Sequence, residues 1–431
     1  MADPNAMLDS RLRQAVGLHQ ARRLAEAEVA YREVLAFRPD LAEIQVNCAL
    51  AQLGQGKHCD AEASLRRAIA AQPGLAKAHS YLGVALCFQR RYQDAVGCYR
   101  ESVRLKPDYF EAHNDLGNTY SLLGDMEQAA TAYRRAIELK PDFSQAHNNL
   151  GLTNLHQGLA ERARAAFDRA IAITPGYVEA YNNLGNALRK LGLMEEAGNA
   201  FETAIRLAPT YADAQLNFSA CLYDQARFPE AEASARQVIR LAPKMPEGHN
   251  ALGNALREQG KLAEAVNQYR EAIRLSADYV EAYRHLAMAL EEMGQLEEAF
   301  VLFRRHGELA SSATPDPQAL SHKLCHDEEQ RAWLGYEVGD FHLGDGGRVA
   351  GAAVTPANRV AEISAQWKTA QPQIVVVDEF LTVEALEKLR RFCLDSTVWR
   401  KVYDGGYLGA FPEHGFAPPL LAQIAEELRA V

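Results

Sequence analysis

The stretch Phe110–Phe143, FEAHNDLGNTYSLLGDMEQAATAYRRAIELKPDF, is 34 residues long, and the chain repeats it. Alanine returns at this interval at Ala27, Ala61, Ala95, Ala129, Ala163, Ala197, Ala231, Ala265 and Ala299. Proline keeps the same beat at Pro39, Pro73, Pro107, Pro141, Pro175, Pro209 and Pro243, and the next beat falls on Ala277. A fixed period of this length is the mark of stacked units that share a continuous core, not of a single closed globule.

One unit reads as two helices. Ala112, Leu116 and Tyr120 lie at helical spacing in the first, and Ala129, Tyr133, Ala136 and Ile137 in the second. Gly124 stands between them, where the chain must leave the helix with positive φ. Gly56, Gly158, Gly192, Gly260 and Gly294 are its equivalents. Gly117 and Ala129 are small enough to let the two helices approach closely. Pro141 ends the second helix because it lacks an N–H and turns Lys140 out of the α region. Asp40, Asp108, Asp142 and Asp278 precede Glu43, Glu111, Gln145 and Glu281 by three residues, a spacing that predicts capping boxes. A single helix pair cannot bury its own apolar faces, so each unit needs neighbours.

The unit resembles the tetratricopeptide repeat. His113, Leu116, Gly117, Tyr120, Ala129, Tyr133, Ala136 and Pro141 carry the likeness. Nine units follow in register, at 8–41, 42–75, 76–109, 110–143, 144–177, 178–211, 212–245, 246–279 and 280–313, together 306 of 431 residues. Departures are local: Ser219 and Ala226 replace glycines in the seventh unit, Ala287 and His306 replace small residues in the ninth, and Ala15 and Arg22 occupy glycine positions in the first. The resemblance implies an all-α fold, a right-handed tetratricopeptide superhelix (an α-solenoid) of about nine helix-turn-helix repeats, followed by a short α/β segment.

Composition fits a folded, water-soluble chain: 48% hydrophobic and 24% charged. With 46 basic and 56 acidic residues the formal charge is −10, which argues against nucleic acid as the default partner. Doublets such as Arg66-Arg67 and Arg134-Arg135 read as solvated faces of second helices. The cysteines are Cys48, Cys59, Cys87, Cys98, Cys221, Cys325 and Cys393, an odd number without a CxxC, as expected of reduced thiols and not of a disulfide frame or zinc site. No apolar signal region opens the chain and no run approaches a membrane span, so the expected location is cytoplasmic.

Residues 1–7 read as a polar leader, 8–313 as the array, and 314–372 as a linker carrying a capping helix at 319–338. From Gln373 the grammar changes. Ile374–Val377 reads as a strand, Thr382–Leu394 as a helix, Val398–Tyr403 as a second strand and Pro418–Ala430 as another helix. Asp378, Phe380, Leu381, Trp399, Gly406-Tyr407-Leu408-Gly409 and Gly415-Phe416 make 373–431 similar to the opening of prolyl-hydroxylase-like 2-oxoglutarate/Fe(II) oxygenase domains. That resemblance implies a His-x-Asp/Glu pair and a distant His as iron ligands, all expected downstream of this stretch. The chain itself is therefore expected to hold no cofactor, with Fe(II) and 2-oxoglutarate entering only with a downstream domain. His326-Asp327-Glu328 has no placed third ligand and reads as a helix face, and GDGGR at 344–348 reads as a connector.

The inner face of such an array is lined by first helices. Asparagine recurs there in three rows: Asn114, Asn148, Asn182 and Asn250; then Asn47, Asn149, Asn183 and Asn217; then Asn118, Asn186 and Asn254. A carboxamide both donates and accepts, so spaced rows can hold the backbone of an extended peptide whatever its side chains. The arrangement is similar to the asparagine ladder of the O-linked N-acetylglucosamine transferases. It is interrupted by Tyr81, Asp115, Ala251 and His285 in the second row and by Leu216 and Arg284 in the first. Arg189, Lys190 and Arg257 are expected to add positive charge that favours acidic side chains on a ligand. Individual asparagines also suit a bland role, satisfying helix ends within the stack. Two functions compete on this reading: a scaffold that binds a protein or extended peptide in its groove, and the substrate-recruiting part of a 2-oxoglutarate/Fe(II) protein hydroxylase. RNA binding is disfavoured by the acidic balance.

Overall fold

A computed structural model describes residues 4–311 and two dipeptide strands, β1 (Lys401–Val402) and β2 (Leu408–Gly409). The helices come in pairs: α1 (Pro4–Gln20) and α2 (Leu24–Phe37), α3 (Ala42–Leu53) and α4 (His58–Ala71), α5 (Ala76–Phe88) and α6 (Tyr92–Leu105). Next are α7 (Phe110–Leu122) and α8 (Met126–Leu139), α9 (Ser144–His156) and α10 (Ala160–Ile173), α11 (Val178–Lys190) and α12 (Met194–Leu207). The last three pairs are α13 (Ala212–Asp224) and α14 (Phe228–Leu241), α15 (Pro246–Glu258) and α16 (Leu262–Leu275), α17 (Val280–Glu292) and α18 (Leu296–Ser311). The chain divides into two compact units, Met1–Pro209 and Thr210–Val431. Within each, a first helix packs on its own second helix, and that second helix packs on the next first helix.

The strands pair antiparallel, Lys401 opposite Gly409 and Val402 opposite Leu408, so part of the expected 398–403 strand is present. The expected helix 319–338, strand 374–377 and helices 382–394 and 418–430 lie outside the described residues.

Five of the nine described pairs close by seating a ring on a glycine. Gly83 faces Tyr99, Gly117 faces Tyr133, Gly151 faces Phe167, Gly185 faces Phe201 and Gly253 faces Tyr269. A Cβ on Gly151 would stand 2.5 Å from the Phe167 ring, and one on Gly117 would stand 2.6 Å from Tyr133. Phe167 and Phe201 are fully buried, each contributing roughly 2–3 kcal/mol of apolar burial. In the seventh pair the volumes are exchanged. Ser219 replaces the glycine, Ala235 replaces the ring, and the Ser219 hydroxyl donates to the Ala231 carbonyl at 2.9 Å.

The turn inside each pair demands a left-handed residue. Glycine supplies it from φ 73° at Gly260 to 80° at Gly124, but Arg22, Arg90 and Ala226 are forced to φ 56°, 60° and 58°. Arg90 is a strained position in the turn of the third pair.

The expected capping boxes do not form. The N-cap residues are Leu41, Tyr109, Phe143 and Tyr279, one place after each aspartate, and none gives a side-chain cap. An apolar residue holds the cap position because the stack needs to bury it; Tyr109 is 8% exposed. The displaced aspartates bond elsewhere, Asp40 to Arg38 at 3.0 Å and Asp278 to the Ser276 hydroxyl at 2.6 Å. Asp125 does cap α8 with its side chain, accepting from the Gln128 N–H at 3.1 Å.

Polar clamps join some successive pairs. The buried Glu28 carboxylate accepts from Gln52 (3.1 Å), Gln55 (3.0 Å) and Lys57 (2.7 Å). Glu232 repeats the clamp with Arg236 (2.8 Å), Gln259 (2.9 Å) and Lys261 (2.9 Å). Burial pushes the Glu232 pKa up, but its donors outweigh burial and hold it down at about 2.

Two outcomes follow for stability. Gly151→Ala should lower the urea midpoint by an amount equivalent to about 1–3 kcal/mol, because the ring behind it has no room to move; an unchanged midpoint contradicts the seat. Ala226→Gly should stabilise by about 0.5–1 kcal/mol, the relief of left-handed strain less the added unfolded-chain entropy. Thermal melting of the two variants reads both.

Candidate functional site

In the first unit the asparagine rows separate by burial. Asn114, Asn148 and Asn182 are 6%, 5% and 5% exposed, so the first row does not line an open surface as expected. Asn149 and Asn183, one residue further along α9 and α11, are half-buried. The Asn149 Nδ2 donates to Asn114 Oδ1 at 3.1 Å and to Asn118 Oδ1 at 3.0 Å. The Asn183 Nδ2 donates to Asn148 Oδ1 at 3.0 Å. Asn118 Oδ1 also accepts from the Tyr133 hydroxyl at 2.8 Å. Asn114 and Asn148 therefore act as acceptors, and the Asn149 and Asn183 amides are each oriented by the pair before them. Neither Asn149 Oδ1 nor Asn183 Oδ1 has a partner among the described residues. Asn186 and Arg189 lie half-buried further along α11.

The second unit repeats this rail of acceptors with a different donor. Asn250 is 7% exposed and accepts from His285 Nδ1 at 2.8 Å. Arg284 Nη2 donates to His285 Nε2 at 2.9 Å, which fixes a neutral ring with its proton on Nδ1. Burial first, then Arg284 and Arg257, push the His285 pKa down to about 3. His285, which the sequence presented as an interruption, thus performs the asparagine's bond. Asn254 Oδ1 accepts from Tyr269 at 2.8 Å, and Asn217 is half-buried on α13. Arg257 does not offer free charge as expected: it is held by Glu258 at 3.1 Å and Glu292 at 3.3 Å.

Asp115 takes the second-row position one pair before Asn149. Burial raises its pKa to about 6, with Asn114 bonding against the shift and Glu111 adding to it. Burial also raises the thiols of Cys48, Cys87 and Cys98, which leaves them poor nucleophiles. No group of three or more potential metal ligands occurs among the described residues. No described helix is long and apolar enough to cross a membrane.

Residues 74–142 match the family model of the tetratricopeptide repeat, and residues 109–321 match that of the Cilia and flagella-associated protein 70 C-terminal domain. The helix pairs are tetratricopeptide repeats. Neither match reaches 373–431, so the oxygenase resemblance of that stretch gains no support. No curated protein matches the chain. Among solved structures, the tetratricopeptide fold is similar to the APC/C hetero-tetramer Cut9-Hcn1 at 17% identity and TM-score 0.50, covering 65% of this chain and 55% of that one. The present chain thus spans just over half of that relative, and the likeness is one of fold. A tetratricopeptide protein from Parabacteroides merdae is similar at 17% identity and TM-score 0.48, covering 58% of this chain and 98% of that one. MamA is similar at 26% identity and TM-score 0.35, covering 37% and 93%.

The Asp115 shift sets a pH dependence. Between an unfolded pKa near 3.8 and a folded value of about 6, the native state holds more protons, so stability falls as pH rises through that window. Ionised Asp115 should cost up to about 3 kcal/mol at neutral pH. Asp115→Asn should raise the melting temperature at pH 7, where wild type is penalised, and match wild type near pH 4. Equal melting at pH 7 refutes the burial assignment.

Proposed function

We propose that residues 8–313 act as a protein-binding scaffold, and that a partner chain lies extended along the face of the first unit that presents Asn149 and Asn183. The reading is carried by the oriented amides. Each has its Nδ2 committed to the preceding repeat, which turns a carbonyl oxygen outward at a fixed interval to accept backbone N–H groups. Asp115 precedes them in the same row and favours a basic side chain on the partner near that end. Recognition of this kind is indifferent to most partner side chains, which suits a scaffold. The free cysteines, two of them buried at Cys48 and Cys221, fit a reducing compartment such as the cytoplasm.

The test is peptide selection on the immobilised full-length protein, followed by titration of the selected peptides. Replacing Asn149 and Asn183 together by Ala removes two backbone hydrogen bonds, each worth about 0.5–1.5 kcal/mol, so affinity should fall about tenfold with cooperative melting retained. Equal affinity for both proteins overturns the placement.

A further inference from the structure

The seam between α8 and α10 departs from its sister seams. At the place of Arg162 the other repeats carry Glu26, Asp60, Asp94, Gln128, Glu196, Glu230, Glu264 and Glu298. In four seams this acid stands beside an arginine from the preceding second helix: Arg164 with Glu196 at 2.9 Å and, from one shared repeat position, Arg32 with Asp60 at 4.0 Å, Arg236 with Glu264 at 4.0 Å and Arg270 with Glu298 at 2.8 Å. The equivalent arginine here is Arg134, and it shares its seam with Arg162. Both line a cleft of about 580 Å³ together with Arg169. None of the three has an ion pair or side-chain hydrogen bond among the described residues. Glu138, at the same cleft, is already bound to Arg135 at 2.8 Å.

The floor of the cleft is also altered. One repeat earlier Tyr120 occupies the corresponding site, and its hydroxyl accepts from Arg100, the counterpart of Arg134, at 2.8 Å. Here the residue is Asn154, shorter by a ring. It is 5% exposed, lines the cleft, and has no side-chain hydrogen bond among the described residues. Its carboxamide lines the cleft with donor and acceptor uncommitted to other side chains, so both are available to a ligand there. Leu150 adds an apolar wall. Leu150 and Asn154 lie about 100° and 140° around α9 from Asn149, so this cleft is separate from the asparagine rail.

We infer that the cleft is a second docking site, for an acidic segment of a partner protein. Carboxylates bridge Arg134 and Arg162 in place of the acid that four sister seams supply internally. Asn154 bonds the segment from below, and an apolar side chain rests on Leu150. Charge complementarity selects an anion, while the volume and the apolar wall select a peptide over a bare ion.

The experiment titrates the full-length protein with a fluorescein-labelled peptide of glutamates around a central leucine, read by anisotropy at low salt. Saturable binding is expected, weakening as salt rises, and absent for the same peptide with glutamine in place of glutamate. Arg162→Glu restores the arginine–acid pair of the sister seams, so the variant should melt no lower than wild type while binding falls tenfold or more, about 1.4 kcal/mol. Asn154→Tyr, which refills the floor as Tyr120 does, should abolish binding by a second route. The Asn149→Ala, Asn183→Ala protein should bind this peptide as wild type does, which separates failure here from failure of the rail. Undiminished binding to both Arg162→Glu and Asn154→Tyr overturns the site, as does no binding at low salt. Equal displacement by inorganic phosphate or duplex DNA also overturns it, since either shows an unselective cationic surface.

Discussion

A ring needs a place to sit, and in this molecule it sits on a backbone. Tyr99, Tyr133, Phe167, Phe201 and Tyr269 each press against a glycine of the partner helix where no Cβ fits. That contact sets how near the two helices of a pair approach, and hence the height and tilt offered to the next pair. Because the same unit recurs, an error at one seat is passed to its neighbours. The seventh pair shows the rule by exchanging it. Ser219 enlarges one side and Ala235 shrinks the other, so where the ring is lost the backbone seat is no longer needed.

Polar groups then lock pair to pair. Asn114 and Asn148 are buried, and they accept from the half-buried Asn149 and Asn183 of the following repeats. The same residue type thus plays two parts one position apart. His285 shows that the requirement of the rail is a donor opposite a buried carbonyl oxygen, not asparagine as such. The clamps around Glu28 and Glu232 do comparable work with charge: Glu28 is held by four donors and Glu232 by three, which offsets the cost of their desolvation.

In a repeating molecule, local departures carry information that a single globule hides. Every unit is a control for the others. Where eight repeats place Glu, Asp or Gln and the fifth places Arg162, packing alone offers no reason, since the site is exposed and the neighbours tolerate an acid. Asp115 is a similar departure in the asparagine row, and it too changes the electrostatics of a face while leaving the helices intact.

The period, the helix pairs, the turn glycines and the terminating prolines were legible in the residues, because backbone rules at Gly124 and Pro141 act within a few positions of chain. The asparagine rows were legible as rows, but not which of them is buried. Asn148 and Asn149 differ by one step around a helix, and only the approach of the preceding repeat decides which of the two is covered. The cap register failed for the same reason, since Tyr109 displaced Asp108 to gain burial that no local pattern records. Likewise the pairing of Arg257 with Glu292, and the sharing of one cleft by Arg134 and Arg162, depend on residues about thirty positions apart. Sequence alone determined the unit and its count, through short-range sterics and hydrophobic spacing; the stacked structure decided which polar groups are buried holding the repeats together, because that depends on how one repeat approaches the next.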